Sequence, residues 1–171
     1  MDQERVIAID VETTGFSPSR GDRVIEVGAV VVEQGRIVEE FQSLININKS
    51  IPRSATLIHG ITNDMLDGQP AAEDVYPKLR MLFSDVTLIA HNAYFDIRFL
   101  RHEFARMGFG LGNRHCCTLE MCRKRFPRLP DHRLETVCRH LFGRQIEEVR
   151  MHRALDDARM VAKVWMELIK R

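Results

Sequence analysis

The chain has 171 residues, of which 44% are hydrophobic and 29% charged. This composition is typical of a folded globular protein and excludes an intrinsically disordered one, and the length predicts a single domain over residues 1–171. With 25 basic and 24 acidic side chains the formal net charge is +1, which by itself gives no sign of a polyanionic partner.

Membrane and secretory classes are also disfavoured. No apolar run reaches the roughly 18 residues that a membrane-spanning helix needs, and the acidic start of the chain leads directly into a predicted strand rather than a signal or transit peptide. The four cysteines, at 116, 117, 122 and 138, follow no CxxC spacing, which favours free thiols in a reducing compartment. We therefore expect a cytoplasmic protein without a membrane partner.

The first part of the chain predicts a meander of strands. The strands cover residues 5–11, 23–33 and 36–46, and Gln34-Gly35 is a hairpin-turn signal between the last two. The stretch that begins at Ile51-Pro52 has no clear periodicity and is predicted to be irregular.

The rest of the chain alternates between helices and strands. Apolar spacing predicts helices over 71–83, 94–107, 133–142 and 153–169, and short strands over 86–90 and 115–119. A meander followed by this alternation predicts an α/β fold with a mixed β-sheet flanked by helices.

Two acids share one face of the first predicted strand. Side chains alternate along a strand, so Asp10 and Glu12 point the same way, roughly 6.6 Å apart at about 3.3 Å per residue. Such a pair of like charges is unfavourable in a strand, and a divalent cation between the two would remove the penalty. The alternative is that the strand ends here and both acids are simply hydrated.

A third acid lies near the start of the helix predicted over 94–107. The residues one turn after Asp96 are Phe99 and Leu100, so Asp96 lies on or beside the buried face of that helix. The alternative, an acid favoured by the helix dipole, explains its position along the helix but not the face.

The last predicted helix carries a fourth acid at the edge of its apolar stripe. Asp157 precedes Val161 and Trp165 by one and two turns, and a carboxylate there needs a partner. His152 lies five residues earlier, which would be about 140° away on an unbroken helix. The two converge only if His152 lies before the helix or in its first turn, where an exposed imidazole suits a general base.

Three segments around these residues resemble the motifs of the DEDDh 3′–5′ exonucleases. The likeness extends to the exonuclease domain of the bacterial DNA polymerase III epsilon (proofreading) subunit and to its stand-alone relatives. The segments are DVETTG at 10–15, HNAYFD at 91–96 and HRALDD at 152–157, and IHGIT at 58–62 also resembles that family. The resemblance covers roughly residues 5–168.

The resemblance implies a ribonuclease-H-like fold and release of 5′-mononucleotides from the 3′ end of DNA. It assigns two divalent metal ions, Mg²⁺ or Mn²⁺, to Asp10, Glu12, Asp96 and Asp157, and the role of general base to His152. Carboxylate oxygens suit these hard ions, and a pair of such ions clamps an in-line displacement at phosphorus. A histidine rather than a tyrosine before the last acid places the chain in the histidine branch of the family.

The resemblance also implies contacts with the terminal nucleotides, made by Thr13, Thr14, Gly15, Phe16, Ile58, His59 and Asn92. The segment 13–15 would let backbone amides approach the last nucleotide. Phe16 and the pair Ile58-His59 would wedge against or stack on the last bases, a contact that tolerates any sequence. Core packing is the alternative for Phe16, and orientation of its own loop is the alternative for Asn92.

The implied partner is a nucleic acid with a free 3′ end, preferably single-stranded DNA. RNA is the alternative because the metal chemistry does not depend on the sugar. Relatives include homodimers and subunits of polymerase assemblies, so a homodimer or a DNA polymerase partner is left open. The sequence ends at Arg171, so tethering through a tail of the epsilon type is not expected. Relatives commonly have Asp-Thr-Leu where this chain has Cys117-Thr118-Leu119.

Two other functions compete with the exonuclease. A haloacid-dehalogenase-type phosphatase also begins with paired acids on a strand and uses a later acidic pair, which Asp156 and Asp157 imitate. In this chain, however, that pair opens an amphipathic helix instead of following a strand. A non-enzymatic nucleic-acid-binding or scaffold descendant would have lost part of the constellation, yet all four acids and His152 are present.

The near-neutral total charge conceals segregated charges. Residues 1–97 carry 8 basic and 15 acidic side chains, whereas residues 98–153 carry 13 basic and 6 acidic ones. The basic segment includes Arg123, Lys124, Arg125, Arg128, Arg133 and Arg139. The charge pattern therefore predicts an acidic metal site beside a surface that can follow phosphates.

Overall fold

The structure, a computed structural model, describes residues 5–143 and 152–170. In these ranges there are five strands: β1 (Val6–Thr13), β2 (Val24–Glu33), β3 (Arg36–Leu44), β4 (Thr87–Ala90) and β5 (His115–Cys117). The helices are α1 (Arg53–His59), α2 (Asn63–Leu66), α3 (Ala72–Leu82), α4 (Ala93–Arg106), α5 (Thr118–Arg125), α6 (Leu134–Phe142) and α7 (Ala154–Ile169). A 3₁₀ turn covers Pro18–Arg20.

The strands form one mixed sheet in the order β3-β2-β1-β4-β5. The pairs β1–β2 and β2–β3 are antiparallel, whereas β4 is parallel to both β1 and β5. Gln34 and Gly35 join β2 to β3 with φ angles of 51° and 71°, and two positive φ angles match the twist of a tight hairpin. Helical crossovers connect the parallel strands. The predicted α/β, ribonuclease-H-like fold is confirmed.

Side chains of β1 alternate between two cores. Ile7, Ile9 and Val11 pack in the larger core, which also contains apolar residues of α3 and α4. Val6 and Ala8 pack in a second core against α7. Asp10 and Glu12 continue the series of Val6 and Ala8, so they lie on the face of the sheet that α7 covers.

A glycine in β2 lets α7 approach that face closely. Gly28 is paired with Asp10 across the β1–β2 ladder. A Cβ atom at Gly28 would overlap the backbone of Ala154, the first residue of α7. The start of α7 therefore lies directly against the sheet beside the acids of β1.

Most of the predicted elements are confirmed, with shifts of a few residues at their ends, but two predictions were wrong. The stretch after Ile51-Pro52 contains the short helices α1 and α2. Helices this short are stabilised by tertiary contacts rather than by their own propensity, and Ala55, Ile61 and Leu66 pack against Ile25. The last strand ends at 117 instead of 119, because α5 begins at Thr118.

Cys117, Cys122 and Cys138 are free thiols, as predicted. Cys122 and Cys138 are buried in a small core with Val137, Met160 and Val164, and burial raises their thiol pKa values to about 11 and about 12. None of the helices over 5–143 and 152–170 has the length and apolar character needed to cross a membrane.

Candidate active site

The four acids and His152 meet where β1 ends and where α4 and α7 begin. Asp96, in the first turn of α4, accepts a hydrogen bond through Oδ1 from the backbone N–H of Val11 at 3.2 Å. This bond holds the start of α4 against β1 across 85 residues of sequence. The candidate ligand atoms of Glu12, His152 and Asp157 lie within 4.8 Å of one another.

The burial of the acids agrees with the prediction from helix and strand periodicity. Asp96 is 3% exposed and Asp157 is 6% exposed, whereas Asp10 and Glu12 are half-buried. None of the four acids is therefore on the fully exposed surface. The interpretation of Asp10 and Glu12 as hydrated acids beyond a strand end does not hold, because β1 continues to Thr13.

Burial and mutual repulsion disfavour ionisation of this cluster. Burial, followed by the charges of Asp96, Asp157 and Glu12, raises the pKa of Asp10 well above its usual range. Burial raises the pKa of Glu12 to about 8, and the nearby Asp157 contributes to that shift. The pKa of Asp96 rises to about 8 and that of Asp157 to about 6, both mainly because of burial. A bound cation would relieve all of these shifts.

The cluster fits a divalent cation on chemical grounds. Asp157 Oδ1 is buried and has no hydrogen-bond partner, although a carboxylate oxygen in that situation is costly. The neighbouring carboxylate oxygen of Glu12 is the kind of ligand that Mg²⁺ and Mn²⁺ prefer, and an imidazole nitrogen of His152 lies beside it. Two of the four predicted acids, Glu12 and Asp157, therefore lie in a group that could hold a metal ion.

His152 lies two residues before α7, outside the helix. This is the arrangement that the five-residue spacing to Asp157 requires if the two residues are to converge. The backbone N–H of His152 donates to Asp157 Oδ2 at 2.9 Å, and the residue adopts a positive φ of 68°. Its side chain is exposed. The peptide is thus held in an uncommon conformation while the imidazole is free to meet solvent or substrate.

A buried acid that sequence reasoning missed fixes this segment in place. Glu26, in β2, is fully buried and lies directly opposite Glu12 in the β1–β2 pairing. Its carboxylate accepts hydrogen bonds from the Arg153 guanidinium at 2.7–3.2 Å and from the Ala154 backbone N–H at 3.1 Å. Gln42 donates a further bond at 2.8 Å. The signal was present in the sequence, since Glu26 is an acid among apolar residues of a predicted strand.

Two cavities flank the acids. The first, of about 450 Å³, is lined by Glu12 together with six of the predicted substrate residues, namely Thr13, Thr14, Gly15, Phe16, Ile58 and His59. The second, of about 600 Å³, is lined by Asp10, Asn92, His152 and Asp157. The structure therefore places the predicted substrate residues in cavities that also contain acids of the site, Asn92 in the second cavity and the other six in the first.

The threonines of the first cavity have structural partners. Thr13 Oγ1 donates to the Gly15 carbonyl at 2.6 Å, and Thr14 Oγ1 accepts from the Arg23 N–H at 3.0 Å. Gly15 is required by packing, because a Cβ atom there would overlap the carboxylate of Asp22. Asp22 was missed in the sequence, and it orders this loop by accepting a bond from the Ser17 N–H at 2.9 Å.

Phe16 and Ile58 offer apolar surface to the first cavity. Phe16 is 73% exposed and Ile58 is 51% exposed, so ordinary core packing does not account for Phe16. His59 differs from them, because it is buried and its Nδ1 accepts a bond from the Ile61 N–H at 3.0 Å. Burial lowers the pKa of His59, which keeps its ring neutral.

The second cavity is lined by basic and acidic side chains, the latter including Asp131 and Glu135. Arg123 and Arg133, from the predicted basic segment, line it together with Asp10 and Asp157. Asn92 begins α4 with a φ of 74°, and its exposed side chain makes no capping bond to that helix.

The segment in which the chain departs from Asp-Thr-Leu is well ordered below the second cavity. Thr118 is buried, and its hydroxyl oxygen lies 3.0 Å from Nδ1 of His91. The same hydroxyl donates to the Ala90 carbonyl oxygen at 3.3 Å. The other ring nitrogen of His91 lies 2.7 Å from the His132 carbonyl oxygen. These bonds join β4, α5 and the loop before α6 without an aspartate at position 117.

Comparison with known proteins agrees with this geometry. The model of an exonuclease family, RNase_T, matches residues 7–165. The chain is 35% identical to the 3′-5′ exonuclease DinG of Bacillus subtilis over 172 residues, which are 100% of this chain and 18% of that protein. It is 38% identical to the DNA polymerase III PolC-type of Clostridium perfringens over 161 residues, 94% of this chain and 11% of that protein.

The solved structures give the same result. Exonuclease X in complex with 5′ overhanging duplex DNA superposes with a TM-score of 0.76 at 26% identity. The match covers 96% of this chain and 90% of that one. The chain spans less than a fifth of the length of the two curated relatives, so their other activities do not transfer with the likeness.

Proposed function

The chain belongs to the RNase_T exonuclease family, and from this premise we propose that it is a metal-dependent 3′–5′ exonuclease that releases 5′-mononucleotides from DNA. One observation carries the proposal. Four acids from three separate elements converge with an exposed histidine at one end of the sheet, and burial and repulsion raise their pKa values. No structural purpose explains gathering these charges, whereas hydrolysis at phosphorus requires them.

We assign the metal ligands to Asp10, Glu12, Asp96 and Asp157, with two Mg²⁺ or Mn²⁺ ions as the occupants. When bound, such ions supply an activated water and neutralise charge on the leaving oxygen. The protein contributes rigidity to this arrangement. The bond from Val11 to Asp96 and the bond from His152 to Asp157 fix two of the carboxylates in position.

His152 is the proposed general base. Its imidazole is exposed beside Glu12 and Asp157, so it can reach a water near the cluster. The Glu26–Arg153 ion pair holds the adjoining residue, so His152 is positioned from both sides. A histidine on an anchored loop can accept a proton and release it to solvent.

The two cavities bind different parts of the substrate in this proposal. We propose that the terminal base lies in the first cavity against Phe16 and Ile58, where apolar contact tolerates every base. Arg123 and Arg133 then face the phosphates from the second cavity. Exonuclease X was solved with DNA, and the PolC-type relatives are DNA polymerases, which favours DNA over RNA and a proofreading or repair role beside a polymerase.

The test uses 5′-labelled single-stranded DNA and RNA of the same sequence, with Mg²⁺, Mn²⁺ or EDTA. We expect a ladder that shortens from the 3′ end of DNA with either metal and stops with EDTA. Asp157→Asn should lower kcat/KM by about 10³-fold, a loss of about 4 kcal/mol of transition-state stabilisation.

The matched control for this test is Asp156→Asn. Asp156 is the neighbouring acid on the same helix and is paired with Arg159 at 2.8 Å, so this variant should keep nearly all activity. A ladder that persists in EDTA, or an equal loss in both variants, would contradict the proposal. Faster digestion of RNA would make RNA the substrate instead.

A further inference from the structure

A small basic groove lies on the outer side of α4, outside the two cavities. It has a volume of about 170 Å³ and is lined by Tyr94, Ile97, Arg98, Arg101, His102 and His115. Among the described residues that line this α4 groove none is acidic, and Arg101 is exposed. A surface of this kind attracts phosphate.

Arg98 connects the α4 groove to the candidate active site. Its guanidinium donates to the Phe16 carbonyl oxygen at 2.6 Å, so it supports the loop whose side chain faces the terminal base. The same guanidinium lies 5.2 Å from the centre of the Tyr94 ring. Arg98 Nε is buried and has no hydrogen-bond partner. One lining residue of the groove thus contacts the loop that lines the first cavity.

Tyr94 presents an aromatic ring at the end of the α4 groove that is nearest to the start of the helix. It is 72% exposed, although it lies only two residues before the buried Asp96. A large exposed ring beside a cation is a typical stacking platform for an unpaired base. Paired bases in a duplex would not offer their faces to it.

The length of the α4 groove suits a few nucleotides. Tyr94 and His102 are eight residues apart on α4, or roughly 12 Å at about 1.5 Å per residue. A stacked strand advances about 3.4 Å per nucleotide, so the groove spans roughly two to four nucleotides.

We propose that the α4 groove binds the substrate strand upstream of its 3′ end. Tyr94 stacks on an unpaired base there, and Arg101 contacts the phosphate that follows. This inference rests on the proposed function for the identity of the substrate, but the groove acts on binding and not on the chemical step. It predicts that oligonucleotides longer than two residues bind more tightly than a single nucleotide does.

The test compares Arg101→Gln with Arg106→Gln. Arg106 is an exposed arginine on the same helix that does not line the groove, so it controls for the lost charge. Two substrates separate binding from chemistry: a thymidine octamer, and the p-nitrophenyl ester of thymidine 5′-monophosphate, which has no upstream nucleotide. Octamer affinity is also measured by fluorescence anisotropy with Ca²⁺ at several salt concentrations.

We expect Arg101→Gln to raise the octamer KM and dissociation constant by about 3–10-fold, and to reduce the salt slope by about 0.7. Ester hydrolysis should be unchanged, Arg101→Lys should restore most of the octamer affinity, and Arg106→Gln should behave as the wild type. Tyr94→Leu should weaken octamer binding by a comparable factor. Melting temperatures establish that each variant is folded, since Arg101 also donates to the Leu111 carbonyl at 3.4 Å.

Equal effects of Arg101→Gln and Arg106→Gln on octamer binding would overturn the proposal. So would a loss seen only with a duplex that has a recessed 3′ end, because the groove would then hold the complementary strand. If the wild type cleaves neither the octamer nor the ester with Mg²⁺ or Mn²⁺, the proposed function fails, and the anisotropy measurement still decides whether the groove binds DNA.

Discussion

Two kinds of buried carboxylate occur in this protein. Glu26 and Glu103 are fully buried and are paired with Arg153 and Arg23 at 2.7 Å. Each also accepts a backbone N–H, from Ala154 and Val24 respectively.

The acids of the candidate site are of the other kind. In the described ranges no arginine or lysine forms an ion pair with Asp10, Glu12, Asp96 or Asp157. A buried acid with an arginine partner holds elements together, whereas a buried cluster without one creates a demand for a cation. The contrast shows which acids build the scaffold and which await a ligand.

The strongest expected effect concerns His152, which donates a hydrogen bond to the unpaired acid Asp157 and precedes Arg153, the partner of Glu26. We expect His152→Asn to lower kcat by about 10²–10⁴-fold, because the proposed general base is lost. Asparagine tolerates the positive φ at this position, and the backbone N–H bond to Asp157 does not depend on the side chain. Mn²⁺ should therefore still raise the melting temperature of the variant. Unchanged turnover would remove His152 from the mechanism.

The next largest effect distinguishes the role of Glu26 from that of Glu103. We expect both Glu26→Gln and Glu103→Gln to lower the free energy of unfolding by about 3 kcal/mol. Each substitution breaks a buried ion pair between a glutamate and an arginine. Only Glu26→Gln should also lower kcat per folded molecule, since Arg153 adjoins His152. Chemical denaturation and single-turnover hydrolysis measure the two quantities. Equal kcat values for the two variants would show that the Glu26 pair does not position the site.

The smallest effect tests the unpaired acids through pH. Without metal, the pKa values of Glu12 and Asp96 are raised to about 8 and that of Asp157 to about 6. An acid with a raised folded-state pKa stabilises the protein fully below its unfolded pKa near 4 and loses that contribution as pH rises through the folded value. In EDTA the melting temperature should therefore fall between pH 5.5 and 8.5.

Metal should reverse this fall in melting temperature. At about 100 times its dissociation constant, a bound ion adds about 2.7 kcal/mol, or roughly 5–10 °C for a chain of this size. The gain should be larger at pH 8.5 than at pH 5.5, and Asp96→Asn should flatten the decline seen in EDTA. A gain that does not change with pH would indicate that the acids are ionised without metal. Thermal scanning at three pH values decides between these outcomes.

The sequence predicted the type of most elements and the convergence of five residues, because both depend on local periodicity and on short motifs. It did not predict the partners of Glu26, since Arg153 lies 127 residues away and no pattern along the chain links the two. It also missed α1 and α2, whose stability comes from contacts with β2 that exist only in the folded state.

The acids on β1 need α7 beside them, and Gly28 leaves room for that helix to dock. During synthesis the acids of this site are brought together late, because β1, β2 and β3 leave the ribosome well before α7 does. Contacts of such long sequence separation form late and slowly during folding. The acids of β1 and α7 therefore come together only after α7 has packed against the sheet.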